Sequence, residues 1–164
     1  MDNDKFFTEE LKKGHQWQRY VADRIMLHGY DVSVPEIQVR KDIKFKEYWT
    51  EFDQDVLVEG CPIEVKSRSL KFTAPENFPY ATVIIDTVSS YNEKETKPYF
   101  YICVSQITKH MIWISGTKSK EWTVERHFDP ARNIHDNFYV ANRKFWHNMR
   151  DILPRFEMMK LMNT

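Results

Sequence analysis

Residues 55–68 constrain this chain more than any other stretch. They read Asp55-Val-Leu-Val-Glu-Gly60-Cys-Pro-Ile-Glu64-Val-Lys66-Ser-Arg68, two short apolar runs hinged at a glycine. Runs of this length and β-branched content predict strands at about 54–59 and 62–68, turning at Glu59-Gly60. Pro62 falls at the start of the second strand, where a missing N–H is tolerated. Side chains alternate along a strand, so Glu64 and Lys66 share one face while Ile63 and Val65 take the other. The hairpin also brings Asp55 towards Glu64. Two neighbouring carboxylates repel unless a cation such as Mg²⁺ lies between them. A lysine beside that cation can stabilise developing negative charge or orient a water. An isolated Glu-x-Lys is ordinarily a solvated strand face with a weak ion pair. Asp55, the apolar embedding and a preceding helix raise the weight of the site reading.

With 164 residues, the chain fits one domain with one core spanning residues 1–164. Apolar residues are 41% of it and aromatics 15%, enough to fill an interior and to exclude wholesale disorder. The 24 basic and 24 acidic residues cancel, so only the placement of charge bears on a nucleic-acid partner. Basic residues follow the hairpin (Lys66, Arg68, Lys71) and crowd the end of the chain (Arg143, Lys144, Arg150, Arg155, Lys160). Cys61 and Cys103 both fall in predicted strands and read as buried free thiols of a reducing compartment. The polar first residues lack a signal-peptide core and no run reaches membrane-span length, so the expectation is a soluble, cytoplasmic protein with no membrane partner.

Apolar spacing through Leu11, Trp17, Tyr20, Val21, Ile25 and Met26 predicts a helix from residue 8 or 15 to His28, closed by Gly29. A strand is expected over 30–34, extended by 37–39, then a charged loop or short helix over 41–50. Residues 69–80 form a connection, and 81–88 read as a strand buried on both faces. Residues 89–98 read as a polar loop, 99–105 and 111–115 as an antiparallel pair turning at Thr108-Lys109, and 122–125 as an edge strand. Phe138, Val140, Ala141, Phe145, Met149 and Ile152 suggest a helix over 138–153 that Pro154 ends. The fold class is α/β, a mixed central β-sheet flanked by helices.

The order helix, strand, acidic strand, Glu-x-Lys strand resembles the PD-(D/E)xK nuclease superfamily, which contains restriction endonucleases, junction resolvases and phage recombination nucleases. The match is firm over residues 15–68. Asp55 corresponds to the first acidic residue of the motif, Glu64 to the second and Lys66 to its lysine, with Ile63 and Val65 as the apolar flanks. Gly14, Gln18, Val21, Ala22, Gly29 and Tyr30 resemble the first-helix pattern, in which Gln18 stands where a Glu is common. Asp53 competes with Asp55, which directly abuts the apolar strand.

The resemblance implies a restriction-endonuclease-like sheet and a metal-dependent nuclease that hydrolyses DNA phosphodiester bonds, an endonuclease in cytoplasm or, if phage-encoded, in host cytoplasm. It implies Asp55, Glu64, Lys66 and Gln18 as catalytic residues. Asp55, Glu64 and the Val65 carbonyl would hold Mg²⁺, with Mn²⁺ able to substitute. Cutting both strands requires two sites, which a homodimer would supply. Two alternatives use the same fold: a non-catalytic nucleic-acid or protein-binding module, with Gln18 marking a weakened site, and an RNA-cleaving relative. Among other residues, Ser67 and Arg68 are placed to touch phosphate, Asp86 to cap a turn or support the acids, and Tyr91, Tyr99, Tyr101 and Trp113 to pack. His15 and His28 read as helix-surface residues. Trp146, His147 and Arg150 read as the outer face of the last helix.

Overall fold

The computed structural model describes residues 3–35, 55–130 and 132–163. Glu59 (φ 49°) and Gly60 (φ 79°) both adopt left-handed backbone. That pair of conformations makes a two-residue hairpin whose twist matches its strands. Glu59 carries a Cβ into this region, which is unfavourable. Two bonds hold it there: its N–H donates to the Asp31 carbonyl at 2.7 Å, and its Oε1 accepts from the Asp31 amide at 2.9 Å.

The hairpin strands, β2 (Val56–Val58) and β3 (Cys61–Arg68), stand inside a six-stranded sheet. Its order is β1 (Val32–Ser33), β2, β3, β5 (Phe100–Ser105), β6 (Met111–Ser115) and β9 (His147–Asn148). β3 and β5 run parallel and the other neighbours antiparallel, so the sheet is mixed as expected. The β5–β6 turn is also as expected, with Lys109 left-handed at φ 63°.

Alternation divides the strands between two cores, one on each face of the central sheet, where chain length suggested a single one. Ile63, Val65, Phe100, Ile102, Val104 and Trp113 pack with Val21, Ala22 and Ile25 of helix α1 (Asn3–Met26) and Phe156 of helix α3 (Leu153–Met162). Each fully buried Ile or Phe there contributes about 1.5–3 kcal/mol. On the opposite face Tyr101, Cys103, Ile112 and Ile114 pack with Val83, Ile85 and Ala141. Those last three belong to a second, antiparallel sheet ordered β4 (Thr82–Thr87), β8 (Ile134–Asn142), β7 (Thr123–Asp129). Helices therefore cover one face of the central sheet and a small sheet covers the other.

Several expectations need correction. The helix over 138–153 does not form. Residues 134–142 are strand β8, the centre of the small sheet, and single turns of 3-10 helix follow at Arg143–Phe145 and Met149–Ile152. Phe138, Tyr139 and Val140 are strong strand formers, and pairing with β4 and β7 overrides a helical spacing that was coincidental. Pro154 starts α3 instead of ending a helix, because a proline in the first turn lacks only an N–H that would be unpaired anyway. Trp146 is consequently buried, not displayed on a helix. The strand over 81–88 exists as β4, but outside the central sheet. Residues Val88–Glu93 form a short helix, α2, in the stretch read as loop. α1 begins at Asn3, and Gly29 (φ 86°) closes the turn after it. Tyr99 is 55% exposed. The expected extension at 37–39 and the loop over 41–50 lie outside the described residues, as does Asp53.

Candidate active site

The Glu-x-Lys face of β3 is buried, unlike the solvated pair such a motif usually makes. Glu64 is 5% exposed. Lys66 Nζ lies 2.8 Å from Glu64 Oε1 and 3.5 Å from Asp86 Oδ1. Lys94 Nζ lies 2.8 Å from Asp86 Oδ2 and 3.8 Å from Glu64 Oε2. Two carboxylates and two ammonium groups thus form a closed quartet of alternating charge, in which each anion faces both cations. Lys66 is the member open to solvent, its side chain 28% exposed against 3–7% for the others.

Each member is placed by local chain rules. Glu64 and Lys66 share a face of β3. Asp86 sits near the end of β4 and accepts the Thr87 amide at 2.8 Å, so its turn-capping and site roles coexist. Thr87 caps α2 by accepting the Ser90 amide at 3.1 Å. That helix returns Lys94 over Asp86, where its ammonium also donates to Ser90 Oγ at 2.9 Å.

Asp55 stands at the mouth of β2. The β2–β3 register pairs Val56 with Ile63, which sets Asp55 opposite Glu64. Asp55 Oδ2 accepts the Val65 amide at 3.0 Å. Burial and then the charge of Glu64 push its carboxyl up to about 7, against the opposing pull of Lys66, the Val65 amide and Lys94. Burial alone would lower the Lys66 ammonium, but Asp86, Glu64 and Asp55 outweigh it and hold Lys66 firmly protonated. Burial likewise acts against an ionised Asp86, and Lys66 and Lys94 overcome it, keeping that carboxyl below its usual range. Tyr101, cross-strand from Glu64, has a buried hydroxyl with no hydrogen-bond partner among the described residues; burial, then Glu64 and Asp86, raise it far above an ordinary phenol.

The chain matches no family model, and no curated protein or solved structure matches it.

Of the residues expected at the site, Asp55, Glu64, Val65 and Lys66 come together. Gln18 is half-buried on α1, which packs against Ile63 and Val65, the face of β3 opposite Glu64 and Lys66. No bond of the quartet involves it. Ser67 Oγ accepts from Gln106 at 3.0 Å, and Arg68 donates to the Ser67 carbonyl at 3.3 Å. Cys103 is buried and Cys61 half-buried; both are free thiols. Among the described residues, no helix is long and apolar enough to span a membrane.

Lys94 is the member that sequence reasoning missed. Its one signal was the Thr87-x-x-Ser90 cap, which starts a helix in a stretch otherwise polar enough to pass for a loop.

Three carboxylates (Asp55, Glu64, Asp86) meet two ammonium groups (Lys66, Lys94), leaving one negative charge in excess. Among the described residues, Asp55 is the acid of the three that makes no ion pair, and its oxygens are hard donors of the kind Mg²⁺ takes. Among the described residues no three His, Cys, Asp or Glu side chains converge as a ready metal cage. The set fits an ion that keeps most of its waters.

Proposed function

We propose that this chain is a metal-dependent nuclease that hydrolyses DNA phosphodiester bonds, an endonuclease on a restriction-endonuclease-like sheet. One observation carries the reading: a buried Glu64 beside a solvent-open Lys66 on one strand, with Asp55 clamped to the Val65 amide at the strand's edge. Asp55 and Glu64 would hold Mg²⁺ or Mn²⁺. The Val65 carbonyl would join them, since an extended residue projects its amide and carbonyl to the same edge. A cation bound there supplies Lewis acidity towards the phosphate and acidifies a water. The water oxygen bonds to phosphorus, one P–O ester bond breaks, and a proton of the water ends on the leaving oxygen, so the products are an alcohol and a phosphate monoester. Lys66, beside Glu64 and open to solvent, is placed to donate to the developing negative charge.

The test is cleavage of plasmid, single-stranded DNA and matched RNA in Mg²⁺, by wild type and by Lys66→Ala and Glu64→Ala. Loss of at least a hundredfold in both variants supports the reading. Cleavage that persists in both, or none by the wild type on any substrate, overturns it. RNA cut in preference to DNA moves the substrate and keeps the chemistry.

A binding module without catalysis is favoured by one specific feature. Both Glu64 oxygens and both Asp86 oxygens already face ammonium groups, so the quartet is complete as it stands. Calorimetry with Mn²⁺ separates the two readings. A module shows no uptake and no change in Glu64→Ala, whereas the nuclease reading requires uptake that this substitution removes.

A further inference from the structure

A basic surface lies on the α1 side of the central sheet. It is an open groove of about 710 Å³ between the last turns of α1, the β5–β6 turn and the segment joining β9 to α3. Arg24 and His28 line it from α1, Lys109 and His110 from the turn, and Arg150 from the far wall. All five side chains are exposed, and among the described residues no carboxylate lines the groove. Arg150 Nε is 3.9 Å from Asp151, too loose and exposed a pair to neutralise it. The Arg24 guanidinium stands 5.4 Å from the centre of the Tyr20 ring, whose hydroxyl donates to the Lys109 carbonyl at 3.3 Å. Arginine on an aromatic beside a row of cations is the surface chemistry that grips a phosphate chain.

The groove is joined to the candidate active site by the chain itself. The Gln106 amide donates to the Arg68 carbonyl at 2.9 Å and its side chain to Ser67 Oγ at 3.0 Å. The turn bearing Lys109 is therefore bonded to the end of the strand that carries Lys66, about 7 Å further along.

We propose that this groove is a nucleic-acid backbone track, engaging phosphates through Arg24, Lys109 and Arg150 and handing the strand over the end of β3. The choice of nucleic acid over another polyanion rests on the nuclease reading. The track itself needs no metal and no catalysis, and its test exploits that.

A fluorescent 30-mer DNA, single-stranded and duplex, is titrated in EDTA at several salt concentrations. The variant is Arg24→Ala/Lys109→Ala; the control, Lys118→Ala/Lys120→Ala, removes the same charge after β6, at the opposite end of the sheet. Both pairs are exposed, so folding is preserved, as circular dichroism will verify. Wild type should bind with a log–log salt slope of about −2 to −3. The groove variant should bind on the order of tenfold more weakly, with that slope reduced by roughly 1.5. The control should match wild type. Equal affinity and slope in the groove variant overturn the proposal, as does an equal loss in the control, or binding of anionic lipid vesicles but not of DNA. If the groove variant fails to bind while wild type never cleaves, the track stands and the nuclease reading falls. If wild type cleaves and the groove variant binds normally, the reverse holds.

Discussion

Lys94→Met tests the charge quartet. Methionine keeps the length and apolar stem of Lys94 and removes only the ammonium, leaving the buried Glu64 and Asp86 to share Lys66. The structure sets the scale. At an effective dielectric near 20, contacts of 2.8 and 3.8 Å are worth roughly 6 and 4 kcal/mol of Coulomb energy. Relief from burying the ammonium returns several kcal/mol, so the net loss at pH 7 is about 3–5 kcal/mol, the usual result of orphaning a buried charge. In a protein of this size that lowers the melting midpoint by on the order of 10 °C. Urea unfolding in EDTA measures it, with the m-value reported to exclude a change in compactness. The loss should shrink towards pH 4, where the orphaned carboxylates protonate. Adding Asp86→Asn should recover part of it, because that removes the anion left unpaired. A loss under about 1 kcal/mol at pH 7 refutes the quartet, as does strict additivity of the two substitutions.

Other consequences follow from single features. The Asp55 carboxyl is pushed up to about 7, above its unfolded value near 3.9, so the folded state holds the proton more tightly. Metal-free protein should therefore lose stability as pH rises from about 4 to 7, by up to a few kcal/mol, and denaturant midpoints of Asp55→Asn should be flatter over that window. Lys66, raised by its acidic neighbours, stabilises the fold below its unfolded value, and that contribution is lost only in strong alkali. Gly116→Ala would place a Cβ 2.4 Å from the Pro98 carbonyl oxygen, a backbone atom that cannot swing away, and should cost more than about 2 kcal/mol by urea unfolding. Gly60→Ala meets open space but at φ +79°, so it should cost only about 1 kcal/mol.

The central hairpin was legible because its information is local. A glycine at the turn, period-2 alternation and a proline at the strand start all lie within fourteen residues, and they specified the register that sets Asp55 opposite Glu64. The β5–β6 pair was legible for the same reason. What escaped was non-local. β8 owes its conformation to β4, more than fifty residues earlier, and its Phe138, Val140 and Ala141 fit either a helical stripe or a strand until that partner is known. Pro154 was ambiguous in the same way, since a proline after apolar residues ends one helix or opens another. The second sheet then closed over the Glu-x-Lys face and converted an ordinary strand motif into a buried cluster with Asp86 and Lys94. Nothing in the spacing of those two residues reveals that they meet β3. Gln18 shows the opposite lesson: its place in a helix pattern was readable, but α1 lies behind β3 from the charged face.

Anomalous diffraction from a crystal soaked in about 10 mM Mn²⁺ decides whether the hairpin holds a metal. One strong peak is expected between Asp55 and Glu64, within about 2–2.4 Å of an oxygen from each, and absent in Glu64→Ala. A full-strength peak elsewhere with that position bare, or an unchanged peak in the variant, would contradict that site.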